Sequence, residues 1–196
     1  TSPEGRFIRI NSAFARMHGY GSPEEMIAAT TDVAQQHYVN PLDRTRLERL
    51  LKAHGTVRFE AQYYRKDKSK IWLVMNVRAV SGPEGKILYY EGTVEDITER
   101  KRVEHELEES ERKFRDLSEK SIAGIYLLQE DGLVKYVNAR CAEIFGYAVD
   151  EVINILRVED VIFPEDWPIV RESVSKRISG KLPSDHYEFR IVRKNN

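Results

Sequence analysis

The chain has 196 residues, and its 31 lysines and arginines nearly balance 32 aspartates and glutamates, for a formal net charge of −1. A neutral chain lacks the positive excess that attracts nucleic acids and anionic membranes, so neither is predicted as a partner of this fragment. The single cysteine, Cys141, excludes an internal disulfide, and no apolar run approaches the roughly 20 residues that cross a bilayer. We therefore expect a cytoplasmic fragment of a larger protein, whose other parts are free to carry a membrane anchor.

An internal repeat organises the chain. Asn11 and Asn138 each follow a short β-type run, and Gly19-Tyr20 and Gly146-Tyr147 follow them at the same offset. Later features match in the same order: Asn40-Pro41-Leu42-Asp43 with Phe163-Pro164-Glu165-Asp166, and Arg65-Lys66-Asp67 with Arg193-Lys194-Asn195. The spacing is far longer than the roughly 20–50 residues of solenoid repeats, which indicates two copies of one domain.

The first copy opens with short elements. Phe7–Ile10 predicts a strand, and Asn11 is suited to cap a helix that ends near Gly19. Ser22-Pro23 is a helix start, with serine as the cap and proline at the first position. Pro41 opens another helix, whose apolar stripe is formed by Leu47, Leu50 and Leu51.

After that helix the hydrophobic period changes to two. The alternation predicts three consecutive strands: 57–63, 71–79 and 87–94. Turn residues separate them at 66–69 and 81–85. Short helices followed by antiparallel strands are typical of the α+β class. Strict alternation places Trp72 and Asn76 on the other strand face, where a partner or a flanking helix is expected.

A charged connector follows, from Thr98 to Lys120, without glycine or proline. Its apolar positions have spacings close to a 3.5-residue repeat and define a seam: Val103, Leu107, Ser110, Phe114 and Leu117. This apolar seam favours a parallel coiled coil in a homodimer, with dimerisation through a sheet face as a second route. The alternative is a solvated helix packed on its own domain.

The second copy contains a segment that the first lacks. Ile122–Leu128 predicts a strand entering a tight hairpin at Asp131-Gly132. This copy ends at Asn196, where its last strands are expected to begin. The predicted organisation is therefore a first domain at 1–98 without its first strand, a helical linker at 99–120, and a second domain at 121–196 without its C-terminal strands.

The ordered motifs, closed by Asp96-Ile97-Thr98-Glu99-Arg100, resemble the PAS family with its C-terminal PAC segment. The resemblance implies two PAS-like domains of the α+β class, both truncated and joined by a long helix. Each domain would be an antiparallel five-stranded sheet with short helices on one face. The hollow between them holds a small ligand, haem, flavin or nothing in family members, which commonly dimerise. The residues expected to relay a signal are Asp96, Thr98, Val103, Leu107, Phe114 and Leu117.

Two cofactors implied by the resemblance are not favoured by the residues. The reactive cysteine of the flavin-binding branch would fall near Arg157, and Cys141 comes too early for it. For haem, His37 and His54 are the candidate ligands, but an ordinary polar role is more common for a lone histidine. We therefore predict no cofactor.

An unidentified small molecule remains open. The apolar residues expected to line its pocket are Phe14, Met17, Met26, Phe59, Leu73, Met75 and Tyr90 in the first copy, and Cys141, Ile144 and Tyr187 in the second. Ordinary core packing is the alternative role for all of them.

No enzyme signature is recognisable: the chain has no phosphate-binding glycine loop, metal-ligand cluster or nucleophile motif. His105-Glu106 resembles a kinase phosphoacceptor only superficially. We expect a non-catalytic sensory and interaction module that regulates an effector domain in the same chain, most often a histidine kinase in this family. The alternatives are a regulator of a diguanylate cyclase, a haem-based redox or gas sensor, and a purely structural dimerisation module.

Overall fold

A computed structural model describes residues 1–178 and 186–194, with the main chain alone at 177 and 178. The chain forms two compact units, Thr1–Leu107 and Glu108–Asn196. No helix in the described ranges has both the length and the apolar character needed to cross a membrane.

The first unit begins with four helices: α1 (Ser12–Met17), α2 (Pro23–Ala29), α3 (Val33–Gln36) and α4 (Leu42–His54). Their starts follow the local signals in the sequence. The side chain of Asn11 accepts a hydrogen bond from the amide of Phe14 at 2.8 Å, and Ser22 caps α2 in the same way, with Pro23 at the first position. These caps satisfy amides that have no partner inside the helix.

An antiparallel sheet of order β1-β2-β3 follows: β1 (Thr56–Tyr64), β2 (Lys70–Ser81) and β3 (Ile87–Asp96). Alternation along the strands directs Phe59, Leu73 and Met75 into the core, with Phe59 directly opposite Met75. Leu47 and Leu51 of α4 join the same buried cluster. The predicted α+β class is therefore confirmed.

The predicted strand at Phe7–Ile10 is wrong. In the described structure, residues 7–10 belong to no strand and form no isolated bridge. Phe7 instead packs its ring edge-on against Phe14 and His37, at 5.6 Å from each ring centre. The first unit consequently has three strands rather than a five-stranded sheet.

One continuous helix, α5 (Thr98–Glu119), occupies the range of the predicted connector. The second unit then contains β4 (Tyr126–Leu128), β5 (Val134–Val137), α6 (Ala139–Phe145), α7 (Val149–Val152), a 3₁₀ turn at Val158–Val161, and α8 (Trp167–Ile178). Strands β4 and β5 form the predicted hairpin, in which Gly132 adopts a φ of +84°. Glycine adopts this left-handed conformation without steric cost.

One strand prediction in the second copy needs correction. Ile122–Leu128 is a strand only from Tyr126, because the backbone of Ile125 is held by Asn138 instead of a strand partner. Tyr187 lies outside any strand, and Ile191 makes an isolated bridge to Ile162. The motif residue Asn195 lies outside the described residues.

Candidate functional site

The start of α5 is held by a hydrogen-bonded network centred on Asp96. One carboxylate oxygen accepts from the amide of Thr98 at 2.9 Å, and the other accepts from the guanidinium of Arg65 at 3.1 Å. Arg65 also donates to the carbonyl of Met17 at 3.1 Å, and the hydroxyl of Thr98 accepts from the amide of Trp72 at 2.9 Å. Burial alone would raise the pKa of Asp96, but the bonds from Thr98 and Arg65 outweigh it and lower the pKa. Asp96 therefore links α1 and β2 to the helix.

Basic residues in the first turn of α5 contact the outer face of the sheet. Glu60 of β1 accepts from Arg100 at 3.3 Å and from Lys101 at 2.9 Å. The bond from Lys101 lowers the pKa of the Glu60 carboxyl. The ammonium of Lys101 also lies 5.5 Å from the ring centre of Trp72. Exposed ion pairs are individually weak, so each of these contacts adds little to stability.

The last turns of α5 belong to the second unit. The side-chain amide of Asn138 donates to the carbonyl of Ser118 at 2.7 Å. The carboxylate of Glu119 accepts from the amide of Ala139 and from the hydroxyl of Tyr136, both at 3.0 Å. The end of the helix is thus bonded to the strand-to-helix corner at which α6 begins.

The apolar seam on α5 is largely open. Val103, Leu107 and Leu117 are 53 %, 59 % and 74 % exposed. Phe114 is also exposed, at 45 %, although its ring packs 5.5 Å from the ring of Tyr136. Of the relay residues chosen from the sequence, the structure therefore joins Asp96 and Thr98 in one network and leaves the four seam residues exposed.

An apolar hollow of about 40 Å³ lies between the hairpin and the helices of the second unit. Its lining includes Cys141, whose thiol pKa is raised by burial. Ile144 and Tyr187 do not line it, although Tyr187 stacks near Phe189, which does. The sequence-based choice missed most of the lining: Tyr126, Leu128, Val134, Val137, Ala142, Phe145, Tyr147, Val152, Leu156, Val158, Val161, Ile162 and Phe189. The strand alternation and helical spacing of the second copy would have pointed to several of them.

In the first unit, the pocket candidates are placed mainly in the core. Four of them share one buried cluster, with Met17 packed against it: Phe59, Leu73, Met75 and Tyr90. Met26 is buried outside that cluster, and Phe14 is half-buried against the ring of His18 at 4.3 Å. This arrangement is that of a packed interior.

Both units contain the same tyrosine–glutamate–lysine contact. Lys66 lies 5.5 Å from the ring of Tyr20 and 2.5 Å from the carboxylate of Glu25. In the second unit, Lys194 stands at the same distances from Tyr147 and Glu151: 5.5 Å and 2.5 Å. The Gly-Tyr, glutamate and Arg-Lys motifs of the repeat therefore join the end of the first helix to the returning chain.

The residues considered from the sequence for the two family cofactors can be located in the structure. Arg157, near which the sequence alignment places a flavin-reactive thiol, donates from its guanidinium to the carbonyl of Asp131. His54 is exposed at the end of α4. His37 uses Nε2 in a hydrogen bond to Thr30, which leaves only Nδ1, the ring nitrogen nearer its own main chain, to coordinate an iron ion. Within residues 1–178 and 186–194, no group of three or more histidine, cysteine or acidic side chains could hold a metal ion.

Comparison with known proteins gives two family matches. A model described as PAS domain matches residues 1–99, and one described as PAS fold matches residues 134–196. A blue-light-activated histidine kinase from Rhizobium johnstonii is 25 % identical over 169 residues, covering 84 % of this chain and 47 % of that protein. Its namesake from Brucella ovis is 20 % identical over 201 residues, covering 97 % of this chain and 40 % of that protein. The chain thus spans less than half the length of these relatives.

Among solved structures, a sensory box histidine kinase/response regulator from Burkholderia thailandensis E264 is 25 % identical, with a TM-score of 0.44 over 55 % of this chain and 81 % of that one. A PAS domain from Colwellia psychrerythraea is 22 % identical, with a TM-score of 0.42 over 50 % of this chain and 83 % of that one.

Proposed function

The chain belongs to the PAS domain family, and from this premise we propose that it is a non-catalytic sensory module that passes a conformational signal through α5 to an effector domain in the same protein. The proposed effector is a histidine kinase, the activity named for the relatives from Rhizobium and Brucella. A PAS sensor region of a bacterial signalling protein passes on a signal when the helix that leaves the domain responds to the conformation of the domain. In this chain α5 is that output helix.

The observation that supports this proposal is that both ends of α5 are hydrogen-bonded or ion-paired to the units they belong to. In the first unit, Asp96 and Glu60 hold its first turn, and in the second unit Asn138 and Glu119 bond its last turn. An α-helix is held by i→i−4 hydrogen bonds throughout and rises about 1.5 Å per residue. A rotation or a shift of its first turn is therefore transmitted along its length to its last turn. A change in the packing of one domain therefore changes what the helix presents to the next part of the protein.

We propose a small apolar molecule as the ligand of the second unit, bound in the hollow lined by Cys141, Phe145 and Tyr147. The relatives are named for activation by blue light, but the position of a flavin-reactive thiol falls near Arg157, and Cys141 comes too early in the chain to supply it. Purified protein is therefore expected to show no visible absorption band and no light-induced change. A flavin spectrum or a haem Soret band in the native preparation would contradict this assignment.

The proposed assembly is a parallel homodimer along the apolar seam, with a solvated helix as the alternative. Single cysteines at Val103 and Leu107 should form symmetric disulfides under mild oxidation, since seam positions face their own counterparts across a two-fold axis. His105→Cys, on the opposite side of the helix, is the matched control and should crosslink poorly. Unsubstituted protein provides the background, because its Cys141 is buried. Absence of a crosslink at both seam positions would refute the dimer.

A further inference from the structure

Two buried histidines lie together in the first unit. His18 is 0 % exposed at the end of α1, His37 is 3 % exposed after α3, and their ring centres are 5.7 Å apart. Aromatic rings surround the pair: the ring of Phe14 is 4.3 Å and that of Tyr63 is 5.9 Å from His18, and the ring of Phe7 is 5.6 Å from His37. Such surroundings favour uncharged imidazoles.

The hydrogen bonds of the pair define the tautomer of each ring. His18 Nδ1 lies 3.0 Å from the carbonyl of Phe14, which can only accept, so Nδ1 carries the proton. The hydroxyl of Thr30 donates to the carbonyl of Met26 at 2.8 Å and accepts from His37 Nε2 at 2.8 Å. His18 Nε2 and His37 Nδ1 are therefore unprotonated, and neither has a hydrogen-bond partner among the protein atoms of the described residues.

Protonation would add an N–H donor to each ring, and neither His18 Nε2 nor His37 Nδ1 has a hydrogen-bond partner among the described residues. The main chain of Tyr64 favours the charged form of His37, but burial outweighs it. Burial is the main cause that lowers the pKa of both rings, and that of His37 falls to about 4. Three charged groups face the pair: Arg65 and Asp96 act on His18, and Lys68 acts on His37. Among these groups Asp96 is the anion, and it is already paired with Arg65, so it compensates little of the cost of protonation.

The repeat shows that the fold does not need these imidazoles. The amides of Tyr64 and Lys66 donate to the carbonyls of His37 and His18, at 2.7 Å and 2.9 Å. In the second unit, the corresponding amides of Val192 and Lys194 donate to the carbonyls of Val161 and Phe145, at 3.0 Å and 3.1 Å. The same main-chain bonds thus form around apolar side chains at the equivalent positions.

The pair is also connected to the output helix. Its two carbonyls hold the amides on either side of Arg65, and Arg65 donates to Met17 and to Asp96. Asp96 in turn accepts from the amide of Thr98 at the start of α5. Displacement of the histidine main chains therefore shifts the arginine that fixes the helix start.

We propose that the His18–His37 pair is an acid-sensitive latch: it keeps the start of α5 fixed while both rings are neutral and releases it when they take up protons. The inference rests on the proposed function of α5 and adds protons as an input to it. Opening exposes the rings, so acid favours the open state because that state binds protons more readily. The latch is fully closed above pH 6.5 and weakens as the pH falls toward 4.

Hydrogen exchange of backbone amides in the full chain tests the latch, after correction for the intrinsic pH dependence of exchange. With a pKa of 6.5 when open and about 4 when closed, His37 alone should raise the opening constant about 25-fold between pH 7.5 and pH 5.0. The rise is expected at the amides of Tyr64 and Lys66, and also at Lys101 in the first turn of α5.

The double variant His18→Phe, His37→Val transfers the residues of the second unit and should abolish the rise. His37→Gln, which retains a donor toward Thr30, should reduce it even if the double variant folds poorly. The exposed histidines provide controls, and His54→Gln and His105→Gln should behave as wild type. A rise that survives removal of both rings would overturn the proposal. A rise at Tyr64 and Lys66 without one at Lys101 would refute the link to the helix, whereas the seam crosslinks test the proposed function separately.

Discussion

Asn138 is the residue on which the bonds at the end of α5 converge. Its side chain is fully buried, and all of its hydrogen-bonding positions are used. The carbonyl oxygen accepts from the amides of Ile125 and Cys141, each at 2.9 Å. The nitrogen donates to the carbonyls of Ser118 and Ala123, at 2.7 Å and 3.0 Å. One side chain therefore caps α6, anchors the approach to β4 and holds the last turn of α5.

The repeat supplies a matched control. Asn11 occupies the equivalent position in the first unit, but it is exposed and makes one cap bond, to the amide of Phe14 at 2.8 Å. With about 1 kcal/mol for each net hydrogen bond, Asn138→Ala should lower the free energy of unfolding of the second unit by about 4 kcal/mol. Asn11→Ala removes a single exposed cap and should lower that of the first unit by about 1 kcal/mol.

Urea unfolding followed by tryptophan fluorescence separates the two units, because Trp72 lies in the first and Trp167 in the second. Asn138→Ala is measured in a Trp72→Phe background and Asn11→Ala in a Trp167→Phe background, each against its parent. Asn138→Asp retains the acceptors but turns a carboxylate toward two carbonyls, so it should also be strongly destabilising. Equal losses for the two alanine variants would refute the reasoning, since they would show that the buried bonds contribute no more than one exposed cap.

Two further predictions concern the sheet of the first unit. A Cβ on Gly92 would lie 2.1 Å from the carbonyl oxygen of Asn76, so Gly92→Ala should cost about 3 kcal/mol in urea unfolding. Gly82→Ala meets only the Leu88 side chain at 3.5 Å and should cost less than about 1 kcal/mol; similar values would contradict the β2–β3 register. Leu73→Ala removes a fully buried side chain and should lower the free energy of unfolding by about 3 kcal/mol, whereas Leu88→Ala, at a half-exposed position, should lower it by less than about 1 kcal/mol. A small loss for Leu73→Ala would place that side chain outside the core.

Local features of the fold were the ones that the sequence could predict. The caps at Asn11 and Asn138 and the turn at Gly132 depend on a few neighbouring residues, so their signals are complete within a short window. The three long strands were predictable because alternation is repeated over many residues. The segment Phe7–Ile10 was not, because a short β-type run does not show whether another strand will pair with it.

The site was less predictable than the fold. Apolar residues at helical spacing indicate burial but do not say whether the buried side chains meet at a packed core or at a hollow. Leu73 and Met75 consequently lie in a packed core, whereas the hollow lies in the second unit, around Cys141 and Phe145. The burial of His18 and His37 depends on how three helices meet the sheet, which no local pattern records. Comparison of the repeats would have marked them, since their counterparts are apolar.

The central claim is that the first unit holds the start of α5, and the exchange rate of the Lys101 amide measures this directly. Asp96→Ala removes a helix cap of about 1 kcal/mol together with the ion pair to Arg65, so exchange at Lys101 should rise about tenfold. Glu95→Ala, at the exposed neighbouring position, should leave it unchanged. Equal protection of Lys101 in both variants and in wild type would contradict the account.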